Sequence, residues 1–470
     1  MRGTGRLAGA TRQPTSDGAR RGLLRSGRAA PPPPAVLLVL GFLGLIGLGT
    51  LALLLPFSAR GGGFDPLTAL FTATSAVCVT GLVVVDTADH WAPFGQAVIL
   101  ALMQLGGLGF VIGVTALALF SGGRMSLRQR VAIRESGSAL RLGGQGGLIR
   151  RTVLLTLACE AVGALLLWLR FGPRFGWGHG LWLAVFHAVS AFTNGSFDLF
   201  GGFRSLADFG GDPVVLLTIA ALIGGGGLSV IVFEDLRRHR RWRRLSLDSK
   251  LVLLGGPLLL LGGAALLFAV ERQNPATLGG QPLWRQLLNA LFHSAAARTA
   301  GFTTWDFART DDRSLFFLLG LMFVGGAPGS MAGGIKLTTA GVLVAAVWGT
   351  LRGRPEVALL GRRLPTGQPG QAFAVAVLAL ALIANVALAI SLLEGPGHHP
   401  FLGLLFEVTS AFGTVGTSVG IAPHLPAGGK LLLILTMFVG RLGPVTVGLA
   451  LTARADAVHY RLPSEPVRIG

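Results

Sequence analysis

The hydrophobic pattern of this chain consists of long apolar runs separated by shorter polar and often basic segments. An α-helix needs roughly 20 apolar residues to cross a bilayer, and runs of that length exclude a soluble fold. The pattern therefore predicts eight membrane-crossing helices. They lie at residues 35–56, 94–120, 152–171, 212–236, 250–270, 314–349, 371–393 and 429–453.

Four short apolar segments, one inside each successive pair of predicted helices, resemble one another. In each, a Phe stands four residues before a Ser or Ala, and the tail that follows contains Thr or Asn and ends in or near Gly. One such segment alone could be a helix-packing patch of small residues. Four of them at matching places indicate four repeats. The segments begin at Phe71, Phe186, Phe292 and Phe406.

The half-helix that begins near Asp65 and Pro66 has about 13 residues, which span about 20 Å at 1.5 Å per residue. This is too short for a hydrocarbon core of about 30 Å, so the segment must enter the membrane and return. Such backbone is tolerated around a water-filled cavity, and the negative C-terminal end of each half-helix would then favour a cation. Four glycine-containing tails can form a ring of carbonyls that replaces the water around a dehydrated ion.

These features predict an all-α polytopic membrane protein. Its four pseudo-repeats of helix, re-entrant pore half-helix, filter loop and helix would surround one central pore. The predicted repeats are 35–120, 152–236, 250–349 and 371–454. The predicted cytoplasmic segments are 1–34, 121–151, 237–249, 350–370 and 455–470.

Composition and charge agree with a membrane protein, since 51% of the residues are apolar and 13% are charged. A net charge of +19 would suggest nucleic acid as the partner of a soluble protein, but here the basic residues are concentrated in a few loops. Counted over 1–34, 121–151, 234–250, 350–370 and the C-terminal tail from Arg454, the predicted cytoplasmic side holds 28 Lys and Arg against 8 Asp and Glu, whereas the opposite side holds 10 against 12. The positive-inside rule therefore predicts a multi-pass protein of the cell membrane with both termini in the cytoplasm and no nucleic-acid partner. Residues 1–34, with seven Arg and one Asp, are interpreted as a disordered basic tail rather than a specific binding arm.

Residues 325–336, Gly-Gly-Ala-Pro-Gly-Ser-Met-Ala-Gly-Gly-Ile-Lys, interrupt the sixth predicted helix. In a helix interior, each glycine costs about 1 kcal/mol and a proline about 3 kcal/mol, so the helix must open into a loop. The loop would lie near the middle of the membrane, below the filter, where a mobile segment can gate permeation; the alternative is a packing kink. Lys336 would repel cations near the pathway, and a buried ammonium needs a partner or water.

The filters, this loop and the stretch Met-Phe-Val-Gly-Arg-Leu-Gly-Pro at 437–444 together resemble the superfamily of Trk, Ktr and HKT potassium transporters. The similarity is greatest to the Ktr membrane subunit, the KtrB type, and extends from about residue 35 to the end. It implies K+ uptake through a homodimer of four-unit pores, in many members with dependence on Na+. It also implies a cytoplasmic ring of KtrA-like RCK regulatory subunits that bind nucleotide.

The resemblance assigns K+ to the backbone carbonyls of twelve filter residues and assigns a gate to the Gly-rich loop and an arginine of the last helix. The filter residues are Val79, Thr80, Gly81, Asn194, Gly195, Ser196, Thr299, Ala300, Gly301, Thr414, Val415 and Gly416. The gate residues are Gly325, Gly326, Ala327, Pro328, Gly329, Ser330, Gly333, Gly334, Lys336 and Arg441.

The second filter departs from the family pattern, which ends this segment in Asn-Ala-Gly-Phe. A gapless alignment puts Ser196 where glycine is expected, and a slip of one residue would put Gly195 there instead. In plant HKT members a filter serine in the first unit accompanies Na+ preference. The second filter therefore leaves both K+ and Na+ open as the preferred ion.

Several single residues have more than one interpretation. Arg441 resembles the arginine that contacts the gate loop, but it could instead form a buried ion pair with Glu160, which in turn could be a coupling or a packing acid. Glu407 could concentrate cations or cap its half-helix. His187 and His293 occupy equivalent positions, which indicates shared repeat ancestry rather than a metal pair.

Other chemistry is weakly represented. Cys78 and Cys159 lack the spacing of a zinc site or a disulfide framework. An intramembrane hydrolase that used Ser330 with His293 would lack the Gly-x-Ser-x-Gly motif, and fourfold repetition would serve no purpose in it. We therefore expect no enzyme activity and no covalent cofactor. The sequence contains no Walker A motif, so nucleotide would act only through a partner subunit.

Overall fold

The structure is a computed structural model, and it describes residues 34–122, 145–354, 356–395 and 397–443. Helices dominate this part of the chain, and a two-stranded antiparallel hairpin follows the third repeat. The predicted tail 455–470, the tail 1–34 except its last residue, and most of the loop 121–151 lie outside the described residues. The hairpin strands are β1 (Ala358–Leu359) and β2 (Arg362–Arg363).

The first predicted repeat begins with a long helix and continues into a short buried one. The short helix starts where the sequence predicts, because the Asp65 side chain accepts hydrogen bonds from the amides of Leu67 and Thr68, and Pro66 occupies the first turn. Its 12 residues are too few to cross a membrane. The helices are α1 (Pro34–Leu53), α2 (Pro66–Val77), α3 (Thr87–His90) and α4 (Pro93–Gly122).

The same order of a long helix, a short buried helix, a loop and a further helix recurs three times. The second set comprises α5 (Gln145–Phe175), α6 (Trp177–Thr193), α7 (Pro213–Gly227) and α8 (Val230–Arg238). The third comprises α9 (Leu247–Glu271), α10 (Leu283–Thr299), α11 (Asp312–Phe323) and α12 (Leu337–Leu351). The fourth comprises α13 (Gln368–Glu394), α14 (Phe401–Gly413) and α15 (Ala427–Leu442).

The prediction of one continuous helix over 212–236 is wrong, because α7 and α8 are separate helices that meet at an angle of 83°. The glycine run at the end of α7 is a poor helix former, and the Ser229 side chain caps α8 by accepting from the amide of Ile231. Glycine is also needed at Gly226, since a Cβ there would overlap the carbonyl oxygen of Phe192 at the end of α6. The break between α7 and α8 therefore goes with a close approach of the end of α6 to the backbone of Gly226.

The sixth predicted helix is interrupted where the Gly-rich sequence predicts, between α11 and α12. Within the described residues, five helices are long and apolar enough to cross a membrane, or six if α7 and α8 form one bent span. The prediction of eight exceeds this number because α11 and α12 are short halves and α15 is described only to Leu442. Part of the predicted span 429–453 lies outside the described residues.

The core lies around the short pore helices α2, α6, α10 and α14. The four Phe residues that open the repeated segments are at most 1% exposed. Long helices at the periphery instead expose large apolar side chains such as Leu258 and Leu392, as expected of surfaces that face lipid. This distribution puts the repeated segments at the centre of the fold.

Candidate ion pathway

The four predicted filters follow directly on the ends of the pore helices, and all of their twelve residues are buried except Gly416, which is partly buried. In three of them the backbone adopts a positive φ at the helix end and again two residues later. The pairs are Val79 (+56°) and Gly81 (+82°), Asn194 (+61°) and Ser196 (+61°), and Thr414 (+48°) and Gly416 (+91°).

The filter glycines lie where backbones of different repeats converge. A Cβ on Gly81 would lie 2.5 Å from the carbonyl oxygen of Gly195, and one on Gly301 would lie 2.6 Å from that of Val415. A Cβ on Gly416 would overlap the carbonyl oxygen of Thr80. Only glycine permits this approach, so carbonyl groups of all three neighbouring segments crowd one small region.

In the second filter, Ser196 and not Gly195 takes the position of the glycines. A Cβ on Gly416 would lie 2.7 Å from the Cβ of Ser196, whereas one on Gly195 would meet Met103 of α4. The Ser196 hydroxyl donates a hydrogen bond to the carbonyl oxygen of Val415 in the fourth filter, at 2.7 Å. A polar side chain thus enters the space that the other filters leave to backbone atoms.

Serine residues four positions after the buried Phe residues support the filters from behind. The hydroxyl oxygen of Ser75 accepts from the amide of Gly81 at 3.0 Å, and that of Ser410 accepts from the amide of Gly416 at 3.1 Å. Ser190 donates to the carbonyl oxygen of Phe197 at 2.7 Å. The spacing of Phe and Ser that identified the repeats therefore has a structural reason.

The third filter has Ala296 in place of that serine and is held from the side. The Asn194 amide donates to the hydroxyl oxygen of Thr299 at 3.0 Å, which links the second filter to the third. Arg298 donates to the carbonyl oxygen of Gly256 in α9 at 3.3 Å. The third filter thus reaches the same region as the other three, but different contacts hold its residues Thr299, Ala300 and Gly301.

In three of the repeats, the polar residue directly after the buried Phe has a role that the sequence interpretation missed. His187 Nε2 accepts from the amide of Leu199 at 3.3 Å, and His293 Nε2 accepts from the amide of Thr304 at 3.2 Å. Each histidine thus holds the loop that leaves its filter. The repeat position itself was visible in the sequence, but its partner 11 or 12 residues later was not.

Glu407, at the same position in the fourth repeat, acts on its own outer loop. Its Oε1 atom accepts from the amides of Val419 at 3.1 Å and Ile421 at 3.2 Å. It lies well inside α14 rather than at its start, so the interpretation as a cap of that half-helix is wrong. It holds the loop beyond the filter instead.

The Gly-rich segment between α11 and α12 forms a compact loop rather than a kinked helix. The amide of Gly325 donates to the carbonyl oxygen of Ile335 at 2.8 Å, which closes the loop at its base. The loop is attached to α7, because the amide of Ala327 donates to the carbonyl oxygen of Gly227 at 3.1 Å. Positive φ angles at Gly329 (+70°) and Gly334 (+64°) provide its turns.

The loop lies directly against the fourth filter. A Cβ on Gly333 would overlap the Thr414 side chain, and one on Gly334 would lie 3.4 Å from the Cα of Gly413. Gly326, Pro328 and Ser330 belong to the same loop, in which the Ser330 hydroxyl donates to the carbonyl oxygen of Ala327 at 2.7 Å. The predicted gate segment and the predicted filter are therefore in contact.

Arg441 reaches this loop from α15 and is 1% exposed. It donates hydrogen bonds to the carbonyl oxygen of Met331 in the loop and, at 3.4 Å, to that of Gly106 in α4. The alternative partner is wrong, since Glu160 accepts from the Gln104 amide at 3.0 Å instead. Arg441 thus joins the loop to two helices.

Lys336 also has a partner, because its ammonium group donates to the carbonyl oxygen of Ala332 at 2.6 Å. It lies 5.4 Å from the ring centre of Phe110, and the guanidinium of Arg441 lies 4.7 Å from the same ring. The ammonium of Lys336 and the guanidinium of Arg441 therefore both donate to carbonyl oxygens of the loop and both lie beside the Phe110 ring. Among the described residues there is no cluster of three metal-ligating side chains, and Cys78 and Cys159 are unbridged.

Comparisons with known proteins give a consistent result. The sequence profile of the TrkH family, described as cation transport protein, matches residues 42–457. Ktr system potassium uptake protein B of Bacillus subtilis is 38% identical over 441 residues, which cover 93% of this chain and 97% of that protein. Potassium/sodium uptake protein NtpJ of Enterococcus hirae is 35% identical, with the same shares covered.

Among solved structures, the potassium transporter TrkH from Vibrio parahaemolyticus superposes with a TM-score of 0.70. The superposition covers 91% of this chain and 87% of that one, at 17% sequence identity. This likeness confirms the predicted all-α polytopic fold class.

Proposed function

Because the chain belongs to the TrkH family of cation transport proteins, we propose that it takes up potassium ions across the cell membrane as the pore-forming subunit of a Ktr-type system. The family resemblance predicted from the sequence is confirmed. The relatives are transporters, so the chain is not an enzyme by class. It is a multi-pass membrane protein, and the cytoplasmic position of both termini is proposed from the distribution of basic residues.

The proposed ion ligands are backbone carbonyl oxygens of the four filters. The observation that carries this proposal is the approach of glycines from three repeats so closely that a Cβ would collide with a neighbouring backbone. Such crowding concentrates carbonyl dipoles in a space that Ser196 alone among the filter residues at this position enters with a side chain, as dehydration of a monovalent cation requires. The C-terminal ends of four pore helices add negative potential at the same place.

A second candidate is a carrier of both Na+ and K+ or one that prefers Na+. It is favoured by the Ser196 hydroxyl, which enters the filter region and contacts Val415. The name of the Enterococcus hirae relative includes both ions. We propose K+ as the main ion, with Na+ acting as a competitor or an activator.

The loop at 325–336 is the proposed gate, and Arg441 is proposed to hold it closed. The support is its contact with the fourth filter and the hydrogen bond from Arg441 to Met331. A loop with five glycines has more backbone freedom than a helix, so it can adopt a second arrangement once the hydrogen bonds that hold it are released. By family analogy, we further propose a homodimer and a cytoplasmic RCK ring that controls this gate.

The test uses the full-length protein in liposomes and measures uptake of labelled Rb+ with K+ or Na+ as competitor. Gly416→Ser should weaken discrimination between the two ions, because its Cβ would overlap the carbonyl oxygen of Thr80. Gly420→Ser is the matched control, since this glycine also has a positive φ (+84°) but no atom within 4 Å of a Cβ. Equal discrimination in both variants at normal yield would refute the filter, and no uptake by the unmodified protein would refute the transport function.

A further inference from the structure

A strongly basic cleft lies where α8 leads into α9, on the side predicted to be cytoplasmic. Its volume is about 380 Å³. We call it the arginine cleft. It is lined by Arg237, Arg238, His239, Arg240, Arg241 and Arg244.

Most of the positive charge in the arginine cleft is uncompensated. Arg238 pairs with Glu234 at 2.8 Å, and His239 lies 2.9 Å from Asp235. The other four arginines form no ion pair with any acidic residue that the structure describes. The positive-inside rule explains why basic residues occur in this loop. It does not explain why their side chains line one concave site.

The start of α9 places the cleft at a membrane surface. The arginines end three residues before α9, which begins at Leu247 and is long and apolar enough to cross a membrane. The preceding helix α8, which leaves α7 at 83°, leads into the turn that carries them. Its Val232 side chain packs inward, with 3% exposure. Large apolar side chains on the same segment remain exposed, namely Ile231, Phe233, Leu236 and Trp242.

The cleft is held in shape by contacts at its rear. The Asp235 carboxylate accepts from the amide of Ser246 at 2.9 Å and from the hydroxyl of Ser249, both at the start of α9. Arg362 from the hairpin donates to the carbonyl oxygen of Leu245 at 2.9 Å. The turn that carries the arginines is therefore fixed before any ligand binds.

We infer that the arginine cleft binds the phosphate-bearing headgroup of an anionic phospholipid of the inner leaflet. Guanidinium groups bind phosphate oxygens in pairs, and basic residues beside exposed aromatic and aliphatic side chains are typical of helices that lie in the membrane interface. An acidic protein surface would satisfy the arginines but not the exposed Phe233 and Trp242, which favour lipid. The inference rests on the location of the cleft at the inner surface and is independent of which ion is transported.

The experiment uses the full-length protein in vesicles that contain brominated phosphatidylglycerol or brominated phosphatidylcholine in a phosphatidylcholine background. Bromine quenches a nearby indole, and the Trp242 signal is the difference between the unmodified protein and Trp242→Phe. We expect stronger quenching of Trp242 by phosphatidylglycerol. The triple change Arg237→Gln, Arg240→Gln and Arg241→Gln should reduce the preference at least about tenfold, since each basic side chain near an anionic surface contributes on the order of fivefold.

The matched control is the triple change Arg352→Gln, Arg354→Gln and Arg363→Gln, which removes equal charge from the neighbouring loop and should leave the preference intact. Equal quenching by both lipids, or an unchanged preference in the cleft variant, would overturn the inference. So would competition by soluble glycerol phosphate, which would assign the cleft to free phosphates. Loss of binding to an acidic cytoplasmic protein with the lipid preference intact would make the cleft a protein-docking surface instead.

Discussion

Replacing Ser196 tests the one position of the proposed filters at which this chain has a side chain in place of glycine. The residue has φ of +61°, and its hydroxyl donates to the carbonyl oxygen of Val415 at 2.7 Å. The Val415 carbonyl oxygen can bind an ion only if it accepts from Ser196 at the same time or releases this hydrogen bond. Removing the hydroxyl should therefore favour the larger, more easily dehydrated K+ over Na+.

The magnitude follows from two separate terms. A buried hydrogen bond of this kind has a net value of about 1 kcal/mol, so Ser196→Ala should raise the K+ to Na+ preference about fivefold. Ser196→Gly should give the same shift in ion preference. It should also leave the fold about 1–2 kcal/mol more stable than Ser196→Ala does, because both variants lose the hydrogen bond but only glycine has no penalty at positive φ.

The assay compares the inhibition of labelled Rb+ uptake by K+ and by Na+ for the unmodified protein and the two variants in liposomes. Thermal stability is measured separately by loss of the monodisperse peak after heating. If neither variant changes the ratio of the two inhibition constants, the hydroxyl does not compete for a filter carbonyl. If only the glycine variant changes it, the Cβ matters and the hydrogen-bond argument fails.

Three further changes test the proposed gate and the packing of the pore helices. Shortening the loop within 328–331 should raise Rb+ uptake at similar selectivity. Arg441→Ala should also raise uptake. Combining the two changes should give little more uptake than the loop deletion alone, since both act on one element. Reduced uptake by either variant with normal elution would leave the loop as a packing element. Gly106→Ala should cut the yield of folded protein severely, because its Cβ would overlap a carbonyl oxygen of α2. The control Gly41→Ala should not lower the yield, since a Cβ there has open space. Equal yields of the two variants would contradict the close packing at Gly106.

The sequence predicted those features whose causes are local. Asp65 and Pro66 mark the start of α2 because capping and proline geometry act within one turn. The opening of the sixth helix followed from the helix propensity of glycine and proline alone. The bend at Ser229 was missed because its glycine run serves a contact with Phe192, which is distant in sequence.

The candidate site divides in the same way. The repeats identified which segments would meet, but the choice between Gly195 and Ser196 depended on one backbone dihedral angle that no local preference determines. The roles of His187 and Glu407 were likewise hidden, since their partners are amides of the loops beyond the filters. The sequence also put Arg441 beside either the loop or Glu160, and only packing of α15 against α4 distinguishes them.

The contacts of α15 connect the proposed gate mechanically to the proposed fourth filter. Arg441 of this helix binds the carbonyl oxygen of Met331 in the loop, and Gly440, one residue earlier, approaches the carbonyl oxygen of Phe412 so closely that a Cβ would overlap it. One turn of α15 therefore touches both the loop and the pore helix α14, which ends at Gly413. Because a packed interface moves between discrete arrangements and does not deform freely, a displacement of α15 that releases the loop would also disturb the base of this filter. In the proposed transporter, opening of the gate would thus be sensed by the ion ligands of the fourth repeat.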